Sequence, residues 1–310
     1  MASSSIGSWS FHPLVTSFPP TVLPNVGYWN ITNGTWEYQV QISWPLNWTS
    51  TDVQSHVNTL YVLDGNALAG TATEALRKRR PVDSTQPDTI VVTIGYPSLL
   101  PDSPYSQGRY YDYQIPVCAN CTTPTLPGVP SNAENFLIFL DGVLRPWITS
   151  HVFGDGVTWG RDALFGHSFA GLFAVWALIV RPELFDVYLS ASPYLIWNEE
   201  YIFDLLGALK TPRPENANGN TTPRLPALQL SYGALEGHPR KRRTETEAEF
   251  EERRAFLSSL KTETLIKRLF KEVRDSPRLR HVELLEYPNS YHAAVGSAAL
   301  CDGVDYFLDW

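Results

Sequence analysis

The chain has 310 residues, 43% hydrophobic and 18% charged, with 10 Trp, 15 Tyr and 14 Phe, a profile that excludes a disordered or fibrous protein and leaves a large aromatic surface to bury or use. A net charge of −8 excludes a protein built mainly to grip nucleic acid or an anionic membrane, because both need a basic face. No apolar run reaches the ~18 residues of a membrane helix, and the first ten residues carry neither a basic nor an apolar targeting region, so a cytoplasmic protein is expected.

In chain order, residues 1–30 are rich in Ser and Pro and lack periodicity, which predicts an extended lead-in on the domain surface. Trp36–Trp44 alternates large apolar and polar side chains as a half-buried strand does, and Pro45 stops it. Val57–Leu63 is a mostly apolar strand ending at Asp64-Gly65-Asn66, with a short helix expected from about Ala67 to Arg79. Thr89–Gly95 is a β-branched run, the mark of a strand covered on both faces. Cys118-Ala-Asn-Cys121 has CxxC spacing but sits in a Pro/Thr-rich loop without a second metal-binding pair, so two unexceptional thiols are expected.

Asn132–Trp147 then predicts a helix, Asp162–Gly166 a strand, Gly171–Val180 an apolar helix and Val187–Ala191 another strand. The Pro/Asn/Gly/Thr stretch 211–226 predicts a surface excursion before the strand Leu228–Tyr232. Residues 237–275 form a charged helical insertion, in which the basic run Arg240–Arg243 faces Glu245, Glu247, Glu249, Glu251 and Glu252 and pairs with them. His281–Tyr287 is the last strand, followed by a closing helix from about Ala293. Alternating strands and helices without an internal repeat imply one α/β domain over 1–310, with a mostly parallel central sheet flanked by helices on both faces.

One motif carries chemistry. Gly166-His167-Ser168-Phe169-Ala170-Gly171 lies between an apolar strand and an apolar helix, the setting of a nucleophile elbow, and the residues two before and two after Ser168 are small, as close strand–helix approach requires. A P-loop is excluded because no Gly-Lys-Ser/Thr follows. His167 is adjacent to the nucleophile and is read as a packing residue.

A serine hydroxyl needs a neighbouring imidazole, itself oriented by a carboxylate, and in an α/β-hydrolase fold the chain order is Ser, acid, His. His292, after the last strand, occupies the base position, whereas His281 and His238 do not. Glu236, in the loop after Leu228–Tyr232, is the candidate acid; pairing with Arg240 or Lys241 is its competing role, and Asp204 is a reserve. The oxyanion needs backbone N–H donors, for which Phe169 and either Gly65 or Asn66 are the candidates. Arg109-Tyr-Tyr-Asp112-Tyr113 reads either as the lining of a site mouth or as an Arg–Asp pair that fixes a loop.

With Tyr61–Asn66, Arg109–Tyr113, the elbow, Ser190-Ala-Ser-Pro193 followed by Trp197, Gly233–Glu236 and Tyr291-His292 in view, the chain resembles the α/β-hydrolase branch that contains enterobactin esterases and intracellular fungal siderophore esterases. Ala170 departs slightly from that branch, whose elbow often reads Gly-His-Ser-x-Gly-Gly. The resemblance implies a serine carboxylic-ester hydrolase that opens siderophore esters to release iron, with Arg109, Tyr113 and Trp197 as substrate-binding residues. No metal or organic cofactor is implied; the partner is a small-molecule ester, with neither nucleic acid nor membrane. The acidic balance favours a near-neutral hydroxamate of the fusarinine type over a triply anionic ferric catecholate. An acyltransferase or general carboxylesterase of the same fold, and a non-catalytic siderophore-binding protein, are the alternatives.

Overall fold

The computed structural model describes residues 7–13, 23–117, 126, 128–212 and 224–309. Cys118, Cys121 and most of the 211–226 stretch lie outside them. The described residues fall into two compact units, one drawn from 1–116, 128–164 and 308–310, the other from 117–127 and 165–307.

The first unit holds β1 (Ser10–Pro13), β2 (Val26–Thr32), β3 (Glu37–Ser43), β4 (Ser55–Leu63), β5 (Asp88–Gly95) and most of β6 (Val157–His167), in the order β1-β2-β3-β5-β4-β6. Pairings β1–β2, β2–β3 and β3–β5 are antiparallel, while β4 and β5 run parallel, with Leu60 opposite Val91. A parallel pair needs a crossover, supplied here by α1 (Gly65–Arg77). From Thr89 to Gly95 every residue of β5 is buried, as its β-branched run predicts.

Two features of this unit differ from the sequence reading. Trp36–Ser43 is preceded by two strands, and Trp9 beside β1 packs 4.7 Å from Phe139 while Phe11 stacks 4.3 Å from Trp147. A four-residue strand and one whose burial does not alternate give no periodic signal. Short α2 (Arg109–Asp112) precedes α3 (Ala133–Phe139), and the helical path expected to end at Trp147 continues through α4 (Arg145–Trp147) to Val152. It widens into π turns at Leu140–Leu144 and Ile148–Val152, on either side of Pro146, which lacks the N–H an α-turn requires.

The second unit holds the end of β6, then β7 (Val187–Ala191), β8 (Ala227–Gly233) and β9 (His281–Tyr287), in that order, with β7–β8 and β8–β9 parallel. Every residue of α5 (Phe169–Val180) from Phe169 to Ile179 is buried, which suits a helix apolar on all faces. Small helices α6 (Trp197–Glu200), α7 (Gly207–Lys210) and α8 (Ala234–Gly237) follow. The charged insertion is built of two helices. α9 (Glu247–Ser259) starts at a Thr246–Glu249 capping box and buries nothing, and α10 (Thr262–Val273) buries Leu265, Ile266, Leu269 and Val273. Lys261, at φ 51°, breaks them apart. The closing helix is α11 (His292–Leu308). Among the described residues no helix is long and apolar enough to cross a membrane.

Candidate active site

The buried end of β6 delivers the chain to Ser168 at φ 60°, ψ −117°, a conformation L-residues adopt only under constraint. The constraint is visible. Ser168 N–H donates to the Ala191 carbonyl at 2.9 Å, and the Ser168 carbonyl accepts from Leu172 N–H at 3.0 Å and Tyr194 N–H at 3.1 Å. A Cβ at Gly166 would lie 2.1 Å from the Ala170 carbonyl oxygen, so only glycine lets the strand and α5 meet this closely.

His292 opens α11, with its side chain 43% exposed. Its Nε2 lies 2.9 Å from Ser168 Oγ and its Nδ1 lies 2.5 Å from Glu236 Oε2. The chemistry assigns the tautomer: Nδ1–H donates to the carboxylate, which leaves Nε2 to accept from the serine hydroxyl. His167 is packed, as expected, and does more: its Nε2–H donates to the His292 carbonyl at 2.9 Å, and the two rings lie 4.6 Å apart.

Glu236 is 3% exposed in α8, just past β8. Its Oε1 accepts from Ser192 Oγ–H at 2.5 Å and from Gly233 N–H at 2.8 Å. Burial pushes this carboxyl up, but the hydrogen bond and charge of His292, with Ser192 and Gly233, hold it below the usual carboxylate range. The competing surface role is taken elsewhere, since Lys241 pairs with Glu247 and Arg240 with Asn289 and Tyr291. Asp204 is exposed on the 3-10 turn Tyr201–Leu206. Ser168, Glu236 and His292 are thus brought together in the second unit. Ser192 was not identified from sequence; it follows β7 at φ 41° and meets Glu236 only through the adjacency of β7 and β8.

Phe169 is the first residue of α5, whose N-terminus carries the positive end of the helix dipole. Its ring lies 5.2 Å from Trp197 and 6.2 Å from Tyr194. Gly65 and Asn66 belong to the first unit and open α1 two residues earlier than expected, because Asp64 turns the chain at φ 54°. Asn66 pins the end of β5, accepting from Tyr96 N–H at 2.7 Å and donating to the Tyr96 carbonyl at 3.0 Å.

Arg109 makes a two-pronged, buried ion pair with Asp64 at 3.0 and 2.9 Å, and Tyr113 is fully buried with its hydroxyl accepting from Asp64 N–H. Both side chains fix the start of α1. Nor does Asp112 pair with Arg109; it accepts from Tyr38, Tyr96 and Asn132 instead.

The chain is similar to known esterases over most of its length. The family model described as "Putative esterase" matches residues 32–266. A siderophore enterobactin esterase of Emericella nidulans is 35% identical over 305 residues, covering 96% of each chain. A siderophore triacetylfusarinine C esterase of Aspergillus fumigatus is 30% identical, covering 94% of this chain and 96% of its own. The solved structure of the siderophore hydrolase EstA from Aspergillus nidulans superposes with a TM-score of 0.83 at 33% identity, covering 94% of this chain and 98% of that one. The mixed sheet with its flanking helices is therefore an α/β-hydrolase fold, and the chain belongs to the "Putative esterase" family as a carboxylic-ester hydrolase.

Proposed function

We propose that this enzyme cleaves ester bonds of a siderophore through an acyl-enzyme on Ser168. The observation that carries the mechanism is the hydrogen-bonded series Glu236–His292–Ser168, at 2.5 and 2.9 Å. Ser168 Oγ attacks the ester carbonyl carbon as His292 Nε2 takes its proton, and the carbonyl electrons move onto oxygen. Phe169 N–H supplies a donor to that oxyanion. Collapse of the intermediate expels the alcohol, which receives the proton from His292. Water, deprotonated by the same imidazole, then attacks the acyl-enzyme and releases the acid. Glu236 holds Nδ1–H and stabilises the imidazolium throughout, while Trp197 and Phe169 offer an apolar wall beside the elbow.

The siderophore substrate rests on similarity to two siderophore esterases over more than nine-tenths of the chain. Between their two named substrates, the net charge of −8 favours the hydroxamate type. Iron arrives and leaves with the substrate, and the working compartment in this reading is the cytoplasm.

Ser168→Ala abolishes p-nitrophenyl acetate hydrolysis and fluorophosphonate labelling; persistence of either removes Ser168 from the mechanism. Mass spectrometry of ferric and iron-free siderophores after incubation identifies the ester cleaved. Consumption only when an alcohol acceptor is added would make the enzyme an acyltransferase, and tight binding without turnover would make it a carrier.

A further inference from the structure

We propose that Asn198 and the indole N–H of Trp197 form a recognition point for an amide-type C(=O)–N group on the acyl side of the ester. This rests on the siderophore-ester reading above and names the part of such a substrate that the enzyme senses.

Both residues are strung from the nucleophile. Tyr194 N–H donates to the Ser168 carbonyl at 3.1 Å, Trp197 N–H donates to the Tyr194 carbonyl at 3.2 Å, and the Trp197 ring lies against Phe169. Asn198 is 8% exposed, yet neither its amide oxygen nor its amide nitrogen has a hydrogen-bond partner. The Trp197 Nε1 is buried without one as well. Buried polar groups are paired as a rule, and two donor groups with one acceptor left open side by side in the chain call for an external partner.

The backbone here is strained too. Asn198, Glu199 and Glu200 have φ of 47°, 57° and 67°, three successive non-glycine residues in the left-handed region. Such a run persists only when held from outside. The holders are Lys261, just before α10, and Arg268 on α10, whose Nζ and guanidinium grip the two oxygens of Glu200 at 3.2 and 2.9 Å. Arg268 also lies 3.9 Å from the Phe203 ring centroid, which anchors it against the following turn.

The open atoms match one chemistry. The Asn198 and Trp197 N–H groups donate to a carbonyl-type oxygen, and Asn198 Oδ1 accepts from an N–H. A plain alkyl chain satisfies none of the three. These atoms are closed to solvent in this conformation, so binding requires segment 197–200 to turn outward.

The test uses two p-nitrophenyl esters of equal acyl length, one with a secondary amide in the chain and one with methylenes in its place. The full-length enzyme is compared with Asn198→Gly, which suits the left-handed backbone, and Trp197→Phe, which keeps the ring and removes the donor. The ratio of kcat/KM for the amide ester over the methylene ester falls about tenfold in each variant, through KM, as loss of a hydrogen bond to a desolvated group predicts. Equal losses on both esters, an unchanged ratio, or no amide preference in the wild type overturns the proposal. Siderophore cleavage is scored separately by mass spectrometry, so failure of the substrate reading is told apart from failure of this one.

Discussion

Replacing Glu236 with Gln tests the acid while barely changing volume. The carboxylate accepts three hydrogen bonds, from His292 Nδ1–H, Ser192 Oγ–H and Gly233 N–H. A Gln carbonyl at the Oε1 position keeps the last two, which turns its NH2 group toward His292. Two donors cannot face each other, so the imidazole flips tautomer, protonates Nε2 and loses its ability to accept from Ser168. Loss of the charge-assisted bond to the imidazolium removes roughly 2–3 kcal/mol from the transition state. Holding the wrong tautomer adds roughly 2 kcal/mol more, for a fall in kcat of about 10³–10⁴, in line with the handicap of an Asp→Asn change in a serine protease triad. Stopped-flow release of p-nitrophenol measures the acylation step directly. Melting should stay close to wild type, because the buried network is retained. A Glu236→Gln enzyme that acylates within about tenfold of wild type would show that Ser168 and His292 act as a dyad and that Glu236 only braces the loop.

Three further outcomes follow from the geometry. A methyl at Gly166 meets the Ala170 backbone at 2.1 Å, so Gly166→Ala should lose about 1–3 kcal/mol in denaturant unfolding together with fluorophosphonate labelling, and wild-type labelling would refute the close approach. Tyr291 precedes the base, and its hydroxyl is bracketed by Arg240, accepting from its N–H and donating to its carbonyl, both at 3.0 Å; Tyr291→Phe should lower kcat about three- to tenfold with KM unchanged. Asp112 is fully buried, and burial pushes its carboxyl up to about 7 against the hydrogen bonds of Asn132, Tyr96 and Tyr38 that lower it. The folded state therefore holds this proton more tightly than the unfolded chain, so the stability contributed by this group is greatest below pH about 4 and declines as pH rises to about 7. Melting curves of Asp112→Asn should lack that decline, and a slope equal to wild type would assign it to other groups.

The elbow was legible because everything it needs is local: a buried strand, small residues at 166 and 170, and a helix apolar on every face. Glu236 and His292 were legible because each follows a strand whose place in the chain order is fixed. Ser192 was not, since its partner lies 44 residues away and only strand adjacency joins them. For the same reason the partner of Arg109 was not legible, because the anion that claims it is Asp64, on a different element. Lys261 and Pro146 altered helices for backbone reasons that an apolar period does not register.

The hardest problem for this site is distance, and one glycine solves it. Ser168, Ser192, Glu236 and His292 follow β6, β7, β8 and β9 in turn, and the ends of parallel strands share an edge. At roughly 4.8 Å per strand, the chain leaving β9 starts about 14 Å from the chain leaving β6, further than an imidazole reaches. The loop after β9 therefore folds back across the end of β8, where Leu235 N–H donates to the Ser290 carbonyl at 3.2 Å. A Cβ at Gly233 would lie 2.3 Å from that same carbonyl oxygen. Gly233 lets the loop pass, its own N–H holds Glu236, and Glu236 in turn holds the imidazole that the loop delivers. The acid and the base are thus set by a single crossing of backbone over a glycine.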